Sequence, residues 1–135
     1  MKKLLYVFAA GLLLGLGIIS VGRQSQAQDP VKVGPHIYTQ LFENDQVRVS
    51  RISFKPGDTI GTHSHPNHFL YVLRSGKIKI SHPDGTSQEI EPKIGEVLWL
   101  NAETHSAKNV GKTEFRGIVV DLKEPAKTEE HPTEK

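Results

Sequence analysis

The chain has no cysteine among its 135 residues. No disulfide bond can therefore form within it, and no cysteine is present to carry the lipid anchor of a lipoprotein. The absence of thiols leaves the redox state of the compartment undecided. No window has a sustained helical period and no internal repeat is visible, so neither a helical bundle nor a repeat array is predicted.

Three functional patterns are missing as well. The sequence contains no Ser-His-Asp order suited to nucleophilic catalysis and no glycine-rich loop suited to a phosphate group. Beyond the N-terminus there is no basic stripe with interleaved aromatic residues. Nucleic acid is therefore not a predicted partner.

The N-terminus has the layout of a secretory signal peptide. Lys2 and Lys3 precede an apolar run over 4–19, and the small residues of 25–27 allow cleavage before Gln28. The alternative is a retained membrane anchor, because the run is only slightly short of a spanning helix. We expect an exported protein, periplasmic or extracellular after cleavage, that touches a membrane only if the segment stays uncleaved.

Removal of residues 1–27 changes the charge balance. The whole chain has 17 basic and 15 acidic residues, and Lys2, Lys3 and Arg23 lie in the removed segment, so 14 basic residues remain against 15 acidic ones. The mature net charge of −1 means that the basic isoelectric point belongs largely to the signal. The mature length suits one domain with a modest core.

The body of the chain alternates short apolar runs with turns, a pattern typical of β-sandwiches and barrels. Turn residues occur at 55–58, 83–85 and 92–95. The predicted strands are 36–42, 47–54, 68–74, 77–81, 87–91, 96–100 and 114–122, of which 96–100 is expected to be buried. The sequence predicts an all-β fold with a single domain.

That domain is predicted to span residues 36–123. Residues 28–35 form a polar lead-in. Residues 124–135 are charged, contain two prolines and have no large apolar side chain, so they are predicted to be disordered.

Three histidines lie within six positions, at His63, His65 and His68. Side chains at i and i+2 of a strand point to the same face, so His63 and His65 can aim two imidazoles at one point. His105 follows a later strand pattern and can complete the site if the sheet closes into a barrel. Buried imidazoles without partners are costly, whereas neutral imidazole is a common ligand of Zn, Cu, Fe and Ni. The cluster therefore predicts a metal centre.

The histidines belong to two glycine-containing patterns. In the first, Gly57 is followed after five residues by His63-Ser-His65, and Gly76 closes the next strand. In the second, Gly95 is followed after five residues by the segment 101–103, then by His105 and, after three more residues, Asn109.

The two half-motifs, in this order, resemble those of the cupin superfamily, which are small jelly-roll barrels of the double-stranded β-helix kind. The resemblance covers about residues 47–121. It implies a cupin barrel in which His63, His65 and His105 hold a divalent transition metal, with Fe, Mn, Ni or Cu favoured over Zn. Asn109 is assigned a structural role at a turn.

The chain departs from the cupin pattern in both halves. The glutamate of the first motif is absent, and alignment on Tyr71-Val-Leu73 places His68 at its position. In the second motif Asn101 replaces a proline, Glu103 replaces a glycine, and one residue is missing before His105. His68 is therefore either a fourth ligand or a group that handles a proton.

Three histidines leave metal positions open for water or substrate, which is the catalytic arrangement. Glu103 is a candidate general base beside the metal, although a solvated loop carboxylate is the alternative. Replacing the carboxylate by imidazole leaves the site one negative charge short, which favours anionic, chelating substrates. His36, His82 and His131 are interpreted as ordinary side chains.

Two functions follow from the resemblance. The first is a metal-dependent oxidoreductase of the dioxygenase type that acts on a small organic molecule. The alternative is a non-catalytic module that binds a metal or a small ligand, and a barrel with a vestigial site is a third possibility. The aromatic residues Tyr71 and Trp99 are interpreted as core or interface rather than pocket. A homodimer is expected, because cupin barrels often pair through edge strands.

Overall fold

The computed structural model describes residues 28–124. The predicted signal peptide, and the predicted disordered tail beyond its first residue, lie outside the described residues. Within the described part of the chain, no helix has the length and apolar character needed to cross a membrane.

Nine strands and one short helix make up this part of the chain. The helix α1 is Pro30–Val33, and the strands are β1 Tyr38–Glu43, β2 Val47–Phe54, β3 Thr59–His65, β4 His68–Arg74, β5 Ile78–Ser81, β6 Ser87–Ile90, β7 Val97–Leu100, β8 Glu103–Asn109 and β9 Phe115–Leu122. The all-β prediction is confirmed.

The strands form two antiparallel sheets. The first has the order β1-β2-β9-β4-β7 and the second the order β3-β8-β5-β6. Strand β9 lies between β2 and β4, so its side chains alternate between the space enclosed by the two sheets and the outer face of the first sheet.

The core lies between the inner faces of the two sheets. In β4 the side chains of His68, Leu70 and Val72 are buried and alternate with more exposed ones, as the sequence pattern predicts. Val72 is fully buried, and Ile78 and Ile80 of β5 face the same interior. The core is thus mainly apolar, and the buried polar residues of the described part of the chain are Ser50, Asn109, Asp121 and the four histidines.

The predicted turns are confirmed by backbone geometry. Gly57, Gly85 and Gly95 have φ angles of 85°, 87° and 84°, a left-handed conformation that glycine adopts without steric cost. Asn109 is buried, and its Nδ2 donates hydrogen bonds to the carbonyls of Phe54 and Thr113. The structural role predicted for Asn109 is therefore confirmed.

Two of the strands that carry histidines are absent from the predicted strand ranges, although the pairing of His63 with His65 assumed a strand there. These are β3 and β8, whose sequences are rich in threonine, serine and histidine rather than in apolar residues. Their polar composition hides the alternation that marks other strands of the chain, because His63, His65, His105 and Asn109 fill buried positions that apolar residues occupy elsewhere.

The prediction that 96–100 is buried was wrong. Strand β7 lies at the edge of the first sheet, and Val97 and Trp99 are 64% and 57% exposed on the outer face. Across the strand pair, Trp99 lies opposite Phe69 and Val97 opposite Tyr71. An apolar run gives no information on whether the outer face of its sheet is covered, which is why the sequence pattern misled.

Residues 28–35 are tied to the domain. Asp29 caps α1 by accepting a hydrogen bond from the Val31 amide, and the carbonyl of Gln28 accepts one from the amide of Ser64 in β3. Helix α1 packs against β3 and β1. The side of the sandwich formed by β1 and β3 is therefore closed by the lead-in.

Candidate metal centre

The two sheets bring four histidines together. His63 and His65 lie on β3, and His105 lies on β8 directly opposite His63 in the strand register. His68 opens β4 in the other sheet. Exposure of these four residues is between 1% and 6%, so all are buried at the interface of the sheets.

Three of the histidines form a compact donor set. The ligand atoms that His63, His65 and His105 offer lie within 4.8 Å of one another. His68 forms a second such group with His65 and Asp121, and the rings of His65 and His68 stack with centroids 4.5 Å apart. His68 is therefore next to the group of His63, His65 and His105 but is not part of that donor set. Its role as a ligand stays a prediction.

Backbone carbonyls fix two of the rings. Nδ1 of His63 lies 2.8 Å from the Gly61 carbonyl, and Nδ1 of His68 lies 2.8 Å from the Pro66 carbonyl. A carbonyl only accepts hydrogen bonds, so Nδ1 carries the proton in both rings. The lone pair therefore lies on Nε2, the atom that a metal would bind.

A carboxylate fixes the third ring. Nδ1 of His65 donates to Oδ1 of Asp121 at 2.8 Å, and its Nε2 lies 3.3 Å from the hydroxyl of Tyr38. Since Asp121 is the acceptor, Nε2 again carries the lone pair and Tyr38 donates to it. A carboxylate behind a ligating imidazole is the usual support of a metal-bound histidine.

His105 has a carboxylate at the same ring position. Oε1 of Glu103 lies 2.9 Å from its Nδ1, an ion-pair distance, although the angles are not those of a hydrogen bond. The side chain of Glu103 is 22% exposed. Glu103 therefore lies on the Nδ1 side of His105, and its role as a general base stays a prediction.

A chain of charges supports His65 from behind. Arg48 donates to Oδ2 of Asp121 through Nε at 3.1 Å and Nη2 at 2.8 Å, and its Nη1 reaches Asp29 at 3.0 Å. The Asp121 side chain is 3% exposed. A buried carboxylate is tolerated because it is paired and hydrogen-bonded on both oxygens.

Burial keeps His63, His68 and His105 neutral near pH 7. Burial lowers the pKa of His63 to about 4, and burial together with the neighbouring imidazoles lowers that of His105 to about 3. Burial also lowers the pKa of His68. Neutral imidazole is the form that binds metals, so near pH 7 these rings need not lose a proton to do so.

The pKa values of Tyr38 and Asp121, the two groups that contact His65, shift in opposite directions. Burial raises the pKa of Tyr38, so its hydroxyl stays a donor. For Asp121, burial acts to raise the pKa, but hydrogen bonds from His65 and Arg48 outweigh it and hold the pKa below its ordinary value. The carboxylate therefore stays charged beneath His65.

The donor set fits a transition metal. Nε2 of His63 is buried and has no hydrogen-bond partner among residues 28–124. An unpaired nitrogen in this environment is costly unless something binds it. Imidazole nitrogen suits Fe, Ni, Cu and Zn, so a metal held by the trio accounts for the orphaned atom.

Sequence reasoning missed Tyr38, Arg48 and Asp121. One signal was available for Asp121: Phe115, Gly117, Val119 and Asp121 share one face of β9, and a charged residue on an apolar core face is rarely unpaired. Of the other histidines, His36 is exposed, and the half-buried His82 has its ring centroid 6.4 Å from that of His105. His131 lies outside the described residues.

No protein-family model matches this sequence, and no curated protein matches it either. Solved structures do match. A cupin domain from Bordetella pertussis is 24% identical with a TM-score of 0.60, over 65% of this chain and 93% of that one. A cupin superfamily protein from Desulfitobacterium hafniense is 22% identical with a TM-score of 0.51, over 65% and 77% of the two chains.

A third match extends this likeness to an archaeal protein. An RmlC-like cupin with a double-stranded β-helix fold from Methanocaldococcus jannaschii is 13% identical with a TM-score of 0.53, over 64% of this chain and 79% of that one. These likenesses establish the fold: the chain is a cupin-type double-stranded β-helix, and the predicted resemblance is confirmed at that level.

The metal-free protein should lose stability as the pH falls from 7 towards 4. The pKa values of His63 and His105, about 4 and about 3 in the folded chain, lie below the ordinary value near 6.5. In this window the unfolded chain binds protons that the folded chain does not. The free energy of unfolding should fall by up to about 1.4 kcal/mol per pH unit for each histidine.

Urea denaturation of EDTA-treated protein at pH 7.5, 6.0 and 5.0 measures this dependence. His105→Gln should flatten it, and His36→Gln, at an exposed position, should leave it unchanged. A free energy of unfolding that is constant across the window would contradict the burial of neutral imidazoles.

Asp121→Asn should weaken metal binding about 10- to 100-fold, because loss of an outer carboxylate lowers ligand basicity and frees the ring of His65. Titration with Ni(II), followed by calorimetry at pH 7.5, measures the affinity. Asp84→Asn, in an exposed turn, is the matched control. Equal affinities in the two variants would mean that Asp121 does not support the centre.

Proposed function

We propose that the chain is an exported metal-dependent oxidoreductase of the dioxygenase type that acts on a small organic substrate. The observation that carries the metal centre is the common orientation of the buried rings. In His63 and His65, Nδ1 is engaged by a fixed acceptor, so the lone pair of each lies on Nε2, and the ligand atoms of these two rings and of His105 lie within 4.8 Å of one another. A cluster that merely packed would have no reason to leave Nε2 of His63 buried and unpaired.

Three of these residues would hold the metal: His63, His65 and His105. A bound Fe, Mn, Ni or Cu ion would supply Lewis acidity and, where redox-active, electron transfer to an oxidant. His65, His68 and His105, together with Tyr38, line a cavity of about 270 Å³ beside the donor set. A substrate in that cavity would meet both the metal and these side chains.

The chain's own groups would position the substrate and handle its proton. The hydroxyl of Tyr38 is a buried donor whose partner in the structure is Nε2 of His65. His68 is neutral, and its Nε2 carries a lone pair, so that atom can accept a proton from a bound acid. We assign Glu103 to orienting His105, because its carboxylate lies at Nδ1 of that ring.

Elemental analysis of residues 28–135, which contain all described strands, tests the metal centre. We expect near-stoichiometric Fe, Mn, Ni or Cu in protein purified without a metal-binding tag, because the ligand atoms of three buried imidazoles converge. The control is His65→Ala/His105→Ala, which should retain the fold by circular dichroism and lose the metal. Absence of metal from both proteins after reconstitution would refute the centre.

A dioxygen-uptake assay on the metal-loaded protein separates the two functional candidates. Uptake in the presence of a substrate supports the oxidoreductase. Stoichiometric Zn without any uptake would favour the alternative predicted from the sequence, a non-catalytic module that binds a metal or a small ligand.

We propose that a second copy of the chain covers the outer face of the first sheet. Tyr71, Val97 and Trp99 are exposed there beside Phe69, and they continue to the free edge of β7. Monomeric proteins rarely expose a contiguous apolar patch of this kind. In a two-fold symmetric dimer the same face of each copy packs against the other, so such a face with its edge strand can form the interface.

Trp99→Glu should therefore convert a dimer into a monomer, because it places a charge in the centre of this face. Analytical ultracentrifugation at micromolar concentration measures the mass. Val110→Glu, which alters an exposed apolar residue between β8 and β9, is the control and should stay dimeric. A monomeric wild-type protein would refute the proposal.

A further inference from the structure

The cavity beside the histidines has two chemically different walls. One wall is polar and consists of Tyr38, His65, His68 and His105. The rest is apolar except for Gln88 and includes Leu70, Ile78, Ile80, Leu98, Phe115 and Val119. A ligand that fills the cavity must therefore present a polar group to one side and hydrocarbon to the other.

The size of the cavity limits the ligand. Its volume is about 270 Å³, whereas a cavity of about 150 Å³ is enough to bind benzene. A single substituted ring or a short branched chain fits this space. A nucleotide or a sugar chain does not, and an apolar wall would leave its hydroxyl groups without partners.

The entrance lies between the edge strands β6 and β7. The more solvent-exposed lining residues are Gln88 and Ile90 of β6 and Leu98 and Leu100 of β7. The opposite side of the sandwich is closed, because α1 packs against β1 and β3 there. A ligand entering at β6 and β7 would reach the histidine wall with its leading end.

Charge determines what that leading end can be. Among the described residues that line the cavity, none is charged. An anionic head group would find no lysine or arginine there, so only a cation held by the histidines can balance it. The hydroxyl of Tyr38 donates to Nε2 of His65 in the metal-free chain, so a metal that took this nitrogen would free the hydroxyl to donate to the same head group.

We propose that the cavity binds small apolar acids, each with one compact hydrocarbon body and a single anionic head group, that enter between β6 and β7. The head group is held at the histidine wall and the body lies against the side chains of β4, β5, β7 and β9. This inference rests on the proposed metal centre, because the anion has no other counter-charge in the cavity.

Calorimetric titration of the Ni(II)-loaded protein with benzoate and with acetate tests the inference. Both probes carry the same head group, but only benzoate has a body that fills the cavity. We expect benzoate to bind at least tenfold more tightly, and we expect no benzoate binding after EDTA treatment. Equal affinities for the two acids would overturn the apolar part of the proposal.

Two substitutions to tryptophan provide a matched pair. Leu98→Trp narrows the entrance, and Val110→Trp adds the same side chain at an exposed position outside the cavity lining. The first should abolish benzoate binding and the second should preserve it, with Ni(II) content unchanged in both. Gln88→Glu, at an exposed position of the entrance, should weaken benzoate several-fold and serves if Leu98→Trp does not fold.

The outcomes separate the two proposals. Normal Ni(II) binding with benzoate unaffected by both Leu98→Trp and Gln88→Glu overturns the inference and leaves the metal centre intact. Failure of the wild-type protein to bind Ni(II) overturns the metal centre and this inference with it. If benzoate binds equally strongly with and without Ni(II), the metal is not the counter-charge of the head group. That outcome overturns the requirement for an anionic head group.

Discussion

The hydrogen bond from Nδ1 of His65 to Asp121 is the interaction on which the rest of the site depends. It joins the two sheets, because His65 lies on β3 and Asp121 on β9. It also decides which nitrogen of His65 faces the cavity. Arg48 makes the buried carboxylate tolerable, and Asp29 extends the same ionic chain to the start of α1. Support for the site is thus part of the framework of the sandwich.

Hydrophobic burial and the polar cluster stabilise different regions of this interior. Around Val72 and Phe115 the apolar side chains fill the space between the sheets. Beside the histidines, side chains do not fill the space between the sheets, and a cavity remains. An interior that exchanged this cavity for apolar side chains would gain packing contacts, so keeping it open costs stability. We regard that cost as consistent with a binding role, as functional sites often contradict local optimisation of a fold.

The sequence predicted what depends on local spacing and failed on what depends on distant contacts. His63 and His65 could be paired from their i and i+2 positions, and the turn at Gly85 from its residue types. Arg48 and Asp121 are 73 residues apart, so their contact follows from the sheet order and not from any local pattern. The exposure of Trp99 could not be predicted either, because hydropathy does not reveal which face of a sheet remains uncovered.

The position of β9 governs the order of assembly. It is the last described strand in the chain, yet it lies between β2 and β4 and carries Asp121. The first sheet therefore cannot close until almost the whole domain has been synthesised, and pairings of such high sequence separation are intrinsically slow to form. Until β9 is in place, the apolar strand β4 lacks this pairing partner. The donors His63, His65 and His105 lie in the second sheet, but Asp121 reaches His65 only when β9 is in place, so completion of the supported site is a late event of folding.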